Sequence, residues 1–326
     1  MRCTLLHRSF FDDQARPDVG VANAKAIVAD RDVLAVVGHL DASVAIPASE
    51  VYREAGLAMV SPAGTATLLT DRSLPSVSRV CGRDDVQGLV AADFAAGTLM
   101  VKSAYVVHDG STAAQDVAEL FKGEAERRGV KLLGFETLRG PADVDPLVAA
   151  LRARPPDVVF WSGRVDQAAS LWRRAREQGV KARLLGSDGL DAPAFARITG
   201  AAAVGAYYTA VVGPPAALPG ARPFVEEFQR RFGRAPGPYA AEAYDAAAVV
   251  LRAIENVARG GVPGREAVGA AIRRTKHLGV TGEIEFDARG DRRKALYFVR
   301  QVSGEDPDKW SQNKVVKLLT AGPPRT

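Results

Sequence analysis

Four short segments rich in glycine, serine and threonine hold the residues best suited to bind a small molecule. Each follows a short apolar run, and they span residues 38–43, 61–65, 108–112 and 186–189. In open α/β sheets, ligands bind outside the carboxyl ends of the strands. The first amides of a following helix are unpaired donors at a partly positive helix end, which suits a carboxylate. These loops therefore predict a binding site for a small carboxylate.

The sequence carries none of the common catalytic motifs. It has no Gly-x-Ser-x-Gly elbow, no His-Glu-x-x-His pair and no Gly-x-x-x-x-Gly-Lys-Ser/Thr loop. The histidines His7, His39, His108 and His277 stand far apart, so we expect no metal site and no cofactor. A binding protein is favoured over an enzyme.

The composition is that of an ordinary globular protein. A length of 326 residues predicts about two domains, and hydrophobic residues make up 47% of the chain. The net charge of +5 is scattered, without the basic stripe of a nucleic-acid-binding surface. No apolar run is long enough for a transmembrane helix. The short apolar stretch at the amino terminus does not read as an export signal, so the chain as written is expected in the cytoplasm.

Short apolar runs alternate with amphipathic helical patterns along most of the chain. Strands are predicted at residues 33–37, 57–60, 103–107, 130–135, 158–161 and 184–185, and helices at 45–55, 114–128, 144–153, 166–178, 223–232, 239–259 and 265–275. Strands with almost no polar residue are typical of a parallel sheet covered on both faces, so we predict the doubly wound α/β class. Residues 283–287 and 295–302 are predicted to pair as antiparallel strands around a turn at 288–291.

A set of motifs along the chain resembles a known family. Residues 36–43 read Val-Val-Gly-His-Leu-x-x-Ser, residues 61–65 read Ser-Pro-Ala-x-Thr, and residues 105–109 read Tyr-Val-Val-His-Asp. Residues 186–189 read Gly-x-Asp-Gly, and residues 281–291 read Thr-Gly-x-Ile-x-Phe-Asp-x-x-Gly-Asp. From residue 11 onward, the sequence resembles the leucine/isoleucine/valine-binding proteins, the type I periplasmic receptors of branched-chain amino acid ABC transporters.

The resemblance implies two doubly wound, Rossmann-like lobes joined by a hinge and closing over a ligand in the cleft. It places residues 1–101 and 222–276 in the amino-terminal lobe, and residues 102–221 and 277–326 in the carboxyl-terminal lobe. Family members begin with an export signal, a strand and a helix that this sequence lacks. We therefore expect the first strand and helix of the amino-terminal lobe to be missing, and the true start codon to lie upstream.

The resemblance also implies which residues touch the ligand. An acidic residue at the position of Asp188 takes the ligand's α-ammonium. Ala113 and Arg164 lie in segments where the family often has an aromatic residue; Arg164 either contacts a second carboxylate or polar tail of the ligand or faces solvent. The ligand's α-carboxylate is held by two loops, which here comprise Asp41, Ala42, Ser43, Ala63, Gly64 and Thr65.

Three functions stay open at this point. The leading one is an extracytoplasmic solute-binding protein of an ABC importer, monomeric, without cofactor or nucleic acid, that delivers an amino acid or related carboxylate to permease subunits. The second is a cytoplasmic ligand-sensing regulator of the same fold. The third is an enzyme on a doubly wound fold, which the missing catalytic motifs disfavour.

Overall fold

The structure, a computed structural model, describes residues 6–324; Cys3 and the first residues of the amino-terminal segment lie outside them. The helices are α1 (Pro17–Ala29), α2 (Ala42–Glu54), α3 (Leu68–Asp71), α4 (Val86–Gly97), α5 (Thr112–Arg127), α6 (Val144–Ala153), α7 (Val165–Glu177), α8 (Pro193–Thr199), α9 (Arg222–Phe232), α10 (Ala240–Ala258) and α11 (Arg265–Arg273). The strands are β1 (Ala35–Val37), β2 (Ala58–Ser61), β3 (Val77–Arg79), β4 (Ser103–His108), β5 (Lys131–Thr137), β6 (Val158–Ser162), β7 (Arg183–Gly186), β8 (Tyr207–Ala210), β9 (Lys276–Gly279), β10 (Gly282–Glu285), β11 (Ala295–Gln301) and β12 (Lys314–Ala321).

The first of two compact units contains residues up to 80 together with 242–292. Its core is a parallel three-stranded sheet in the order β1-β2-β3. Helices α1 and α2 cover one face, where they pack against Met59 and Val77. Helices α10 and α11 cover the other face, where they pack against Ala58 and Val60. Because helices cover both faces, every residue of β2 is buried, as its apolar sequence predicts.

The second unit contains residues 81–241 and those from 293 onward. Its seven-stranded sheet has the order β12-β11-β8-β7-β6-β4-β5, in which β11 and β12 are antiparallel to their neighbours and the others are parallel. Tyr105 and Val107 of β4 face helices α6, α7 and α8, whereas Ala104 and Val106 face α4 and α5. This doubly wound arrangement confirms the predicted fold class.

The boundaries of the units differ from those expected for the lobes. The chain passes between units after residues 80, 241 and 292, whereas the sequence analysis placed the boundaries near 101, 221 and 276. Helix α4 belongs to the second unit because its Phe94 packs into the same cluster as Phe121 of α5. The strand β10 belongs to the first unit because Ile284 packs with α10 and α11.

The predicted pairing of residues 283–287 with 295–302 is wrong. The turn forms, since Asp287 Oδ1 accepts hydrogen bonds from the backbone amides of Arg289, Gly290 and Asp291, each at 2.9 Å. Beyond this turn the strands separate: β10 pairs with β9, and β11 pairs with β8 and β12. The reason is burial in different cores, because β10 packs in the first unit and β11 in the second.

A buried ion pair fixes the end of β3. Arg79 Nε donates to Asp291 Oδ1 at 2.6 Å, and the two side chains are 0% and 1% exposed. The hydroxyl of Thr70 donates to the same oxygen at 2.8 Å. Arg79 Nη1 also donates to the carbonyls of Gly64 and Ala66, both at 2.7 Å. The pair therefore joins β3, the turn before residue 292 and the loop that follows β2.

We expect Asp291→Ala to lower the free energy of unfolding of the first unit by about 3–5 kcal/mol, because it leaves the Arg79 guanidinium buried without a counter-ion. The matched control is Asp18→Ala in the same unit, whose pair with Arg16 should contribute far less because both groups stay exposed to water. Urea unfolding followed by circular dichroism reports on both units, whereas fluorescence of Trp161, Trp172 and Trp310 reports on the second. Equal losses for the two variants would contradict the role of the pair.

Candidate functional site

In the first unit, the two loops predicted to hold a carboxylate lie side by side. They follow β1 and β2, which are parallel and pair in register with Val37 opposite Val60. The carboxyl ends of both strands are therefore at one edge of the sheet. A hydrogen bond of 3.3 Å from the hydroxyl of Ser61 to the carbonyl of His39 joins the loops directly. All six residues predicted in these loops come together at this edge.

Asp41 caps helix α2. Its Oδ1 accepts a hydrogen bond of 2.8 Å from the amide of Ser43, and its carbonyl accepts from Ala45 at 2.9 Å. An aspartate at this position satisfies the amino end of the helix and places a negative charge there. Ala42 is half-buried and Ser43 is exposed. Of this group, the Ser43 hydroxyl is the most accessible donor, and the charge of Asp41 opposes direct contact with a carboxylate.

His39 fixes the loop after β1 through hydrogen bonds to two other side chains. Its Nδ1 lies 2.7 Å from Asp13 Oδ2, and its Nε2 lies 3.2 Å from the hydroxyl of the buried Tyr52. Burial is the largest single influence on the pKa of the Asp13 carboxyl and raises it, but the hydrogen bonds with His39 and the Ala15 amide and the charge of His39 together lower that pKa. Sequence analysis did not connect these three residues, which are far apart in the chain.

The loop after β2 has a shape that only glycine permits at position 64. The amide of Gly64 donates to the hydroxyl of Ser61 at 2.8 Å, and an added Cβ would lie 2.7 Å from Leu69 Cδ2. Ala63 is 5% exposed, and Thr65 is half-buried. Thr65 is thus the residue of this loop whose side chain reaches the surface, while Arg79 holds the loop's carbonyls underneath.

In the second unit, the corresponding loops follow β4, β6 and β7. His108 pairs in register with Ser162, and Trp161 pairs with Gly186, so these strands end at one edge. Asp109 ties two of the loops together: its Oδ1 accepts from the Ser111 hydroxyl at 2.6 Å, and its Oδ2 accepts from the Arg164 amide at 3.0 Å.

Ala113 and Arg164 are both exposed at this edge. Ala113 lies in the first turn of α5, and Arg164 immediately precedes α7. The Arg164 side chain is 67% exposed, and its Nη2 lies 3.3 Å from Asp166 Oδ2, also an exposed group. Such a pair constrains Arg164 weakly, so its guanidinium can turn to another partner.

Asp188 begins a short 3-10 turn, Asp188–Leu190, that follows β7. Its amide donates to Gln87 Oε1 at 3.1 Å, and the Thr209 hydroxyl donates to the same oxygen at 2.8 Å. Gln87 is buried on α4, and its Nε2 has no hydrogen-bond partner among the described residues. At the other end of the turn, Asp191 Oδ1 accepts from Trp310 Nε1 at 2.8 Å. Gln87 and Trp310 thus hold the turn from both sides.

The surroundings of Asp188 favour a cation. Its carboxylate is accessible to water, yet the protein packed around it limits hydration. This loss of hydration, followed by the negative charge of Asp84, raises the pKa of Asp188 to about 7, and Asp191 adds to the effect. An ammonium group placed here would relieve the repulsion between the carboxylates. Asp84 and Gln87 were missed by the sequence analysis; the run Arg-Asp-Asp-x-Gln at 83–87, just before a helix, is the signal that could have revealed them.

Asp188 should titrate near pH 7, and Asp84→Asn should lower the midpoint because it removes the neighbouring negative charge. Carboxyl ¹³C chemical shifts of protein labelled at aspartate check this, with Asp166→Asn as a control that leaves the midpoint unchanged. Because folding raises this pKa, the contribution of Asp188 to stability is full below the model-peptide value near 3.8 and is lost as the pH rises through about 7. A midpoint near 4 in the unaltered protein would refute the electrostatic coupling.

Comparison with known proteins gives a consistent family. Residues 9–307 match the periplasmic binding protein family. An amino acid binding protein of Pseudomonas aeruginosa is 34% identical over 307 residues, which cover 92% of this chain and 79% of that protein. Leu/Ile/Val-binding protein homolog 2 of Brucella abortus is 32% identical over 282 residues, covering 86% of this chain and 74% of that protein.

Solved structures show the same fold. A leucine binding protein from Thermotoga maritima superposes with a TM-score of 0.71 at 27% identity, over 95% of this chain and 86% of that chain. An ABC transporter substrate-binding protein from Desulfitobacterium hafniense, in complex with Leu, has a TM-score of 0.76 at 23% identity, over 94% of this chain and 87% of that chain. At that identity the likeness shows the fold alone.

Two α/β units with polar loops at the carboxyl ends of parallel strands define the class of solute-binding proteins. The match over most of the chain makes the assignment more specific: this chain belongs to the periplasmic binding protein family. No helix among the described residues is long and apolar enough to cross a membrane.

Proposed function

We propose that this chain is the solute-binding component of an ABC importer and that it binds a branched-chain or other amino acid, or a related small carboxylate, in the periplasm. The observation that carries the proposal is the position of the Asp188 carboxylate near Asp84, where the parallel strands of the second unit end. An amine is the complementary ligand group. The relatives named for binding amino acids support the same ligand class.

In this proposal, the loops of the first unit supply donors suited to a carboxylate. Ser43 and Thr65 supply hydroxyl donors, and Ala42 supplies an amide at the amino end of α2. Ala63 and Gly64 shape the second loop rather than contribute side chains. Asp41 orients the first loop through its bond to Ser43 and does not touch the anion.

In the second unit, Asp188 is the main partner proposed for an ammonium group, and Asp84 adds charge. Gln87 positions Asp188 by accepting its amide hydrogen. Ala113 and Arg164 border the ligand's side chain. An acidic tail pairs with the Arg164 guanidinium, whereas an apolar tail leaves that guanidinium in solvent beside Asp166.

Asp188→Ala should weaken binding of the preferred amino acid by about 2–5 kcal/mol, because the ammonium loses its counter-ion. The preferred amino acid is first identified by calorimetry with L-leucine, L-valine, L-alanine and L-glutamate. The sharp test pairs that amino acid with the same molecule lacking its amino group, for example L-leucine with 4-methylpentanoate. The unaltered protein should prefer the amino acid strongly, and Asp188→Ala should bind both about equally. A loss below about 0.5 kcal/mol would show that Asp188 is not the ammonium partner.

Deletion of the gene should reduce uptake of the same amino acid by intact cells, and re-expression of the unaltered chain with its native upstream sequence should restore it. Re-expression of Asp188→Ala should fail to restore uptake at low external concentration, since delivery to the permease depends on binding. Unchanged uptake together with altered transcription would instead support the cytoplasmic regulator. Conversion of the bound ligand to a product would support an enzyme.

A further inference from the structure

A cavity lies at the edge of the seven-stranded sheet where the parallel strands begin, opposite the edge that holds Asp188. It is a depression of about 680 Å³, a size typical of small-molecule sites. Its walls come from residues that precede strands, with Lys102 before β4, Asp157 before β6 and Ala182 before β7. Because these strands are parallel, their amino ends share one edge and their carboxyl ends share the other. The cavity is therefore distinct from the loops around Asp188.

Basic side chains dominate the charge of this cavity, with four of them against one acidic side chain in the lining. Arg183 Nη1 donates to the carbonyl of Leu99 at 3.0 Å, which fixes the guanidinium at the wall. Arg152 Nη1 makes a long contact of 3.4 Å with Gln178. Lys102 and Lys181 also line the cavity, and neither forms an ion pair within residues 6–324. Two exposed ammonium groups thus lack a protein counter-ion beside two positioned guanidinium groups.

Asp157, the one acidic residue of the lining, serves the backbone. Its Oδ2 accepts hydrogen bonds from the amides of Lys102 at 2.7 Å and Ser103 at 2.9 Å. The bond from the Lys102 amide is the largest cause that lowers the pKa of Asp157, and the nearby charge of Arg183 acts in the same direction. Asp157 therefore shapes the start of β4, and the cavity keeps an excess of positive charge.

The floor of the cavity is apolar. Val101, Leu151 and Val180 are buried there, against the sheet and helix α6. At the rim, Met100 has a φ of 52° and is 71% exposed. A left-handed backbone is unfavourable for a residue with a side chain, so the surrounding structure holds this methionine in place. A flexible thioether at the rim adapts to apolar surfaces of different shapes.

We propose that this basic pocket binds a small organic anion with an apolar body, such as an aromatic carboxylate. The apolar body packs on the apolar side chains that stay accessible at the rim, Met100, Leu99 and Pro155. The anionic group pairs with Lys102 and Lys181, so that binding breaks no existing ion pair of these two ammonium groups. The inference is independent of the proposed amino acid site.

The probe is 2-naphthoate, measured by calorimetry at low salt with the full chain. Lys102→Gln and Lys181→Gln should each weaken its binding about tenfold, as expected for loss of one charged hydrogen bond. The matched control is Lys25→Gln, which removes an exposed lysine of helix α1 in the first unit, away from the cavity lining, and should leave binding unchanged. Melting curves by circular dichroism verify that each variant folds.

Three comparisons decide the outcome. The neutral 2-naphthamide should bind at least tenfold more weakly than 2-naphthoate, and inorganic phosphate should compete poorly because it lacks the apolar body. Asp188→Ala should leave naphthoate binding unchanged. The proposal is overturned if naphthoate does not bind, if the two lysine variants behave like Lys25→Gln, if phosphate binds as well as naphthoate, or if Asp188→Ala abolishes the binding.

Discussion

The buried ion pair between Arg79 and Asp291 is the constraint on which the loop after β2 in the first unit depends. Arg79 holds the carbonyls of Gly64 and Ala66, so the loop after β2 keeps its shape only while the guanidinium is in place. Asp291 lies 212 residues further along the chain and arrives only after the chain has returned from the second unit. A buried pair of this kind adds little net stability compared with apolar residues of the same size. Its effect is on geometry, since it allows one arrangement of loop, strand and turn.

In the second unit, a neutral side chain rather than a charged one holds a loop in place. Gln87 occupies the place under the loop, and its carbonyl accepts hydrogen bonds from the amide of Asp188 and the hydroxyl of Thr209. A guanidinium at this position would neutralise Asp188 and lower its pKa, which would remove the attraction for an amine. A neutral amide fixes the turn without neutralising the Asp188 carboxylate. Each unit therefore places a buried polar side chain against one loop: Arg79 against the loop after β2, and Gln87 against the turn that begins at Asp188.

The sequence was sufficient to predict those strands that are buried on both faces. The runs around β2, β4 and β6 are apolar because helices cover both faces, so strand and fold class follow from them directly. The strand β3 was missed because Ser78 and Arg79, though buried, are polar and break the pattern. Because β3 was not predicted, the segment that follows it, which holds Asp84 and Gln87, was not examined as part of a site. The partner of β10 was mispredicted for another reason: alternation along a strand shows which face is buried, but not the core in which it is buried.

Net charge conceals how the second unit distributes its ionic groups. The chain carries only +5 overall, yet acidic side chains gather around Asp188 at the carboxyl edge of the sheet, and basic ones gather around Lys102 at the amino edge. Strands of five or six residues, such as β6 and β4, separate these edges by about 17–20 Å. That distance is about twice the screening length of about 8–10 Å at physiological salt. The carboxyl edge can therefore hold a cation and the amino edge an anion. Occupation of one edge changes the electrostatic potential at the other very little.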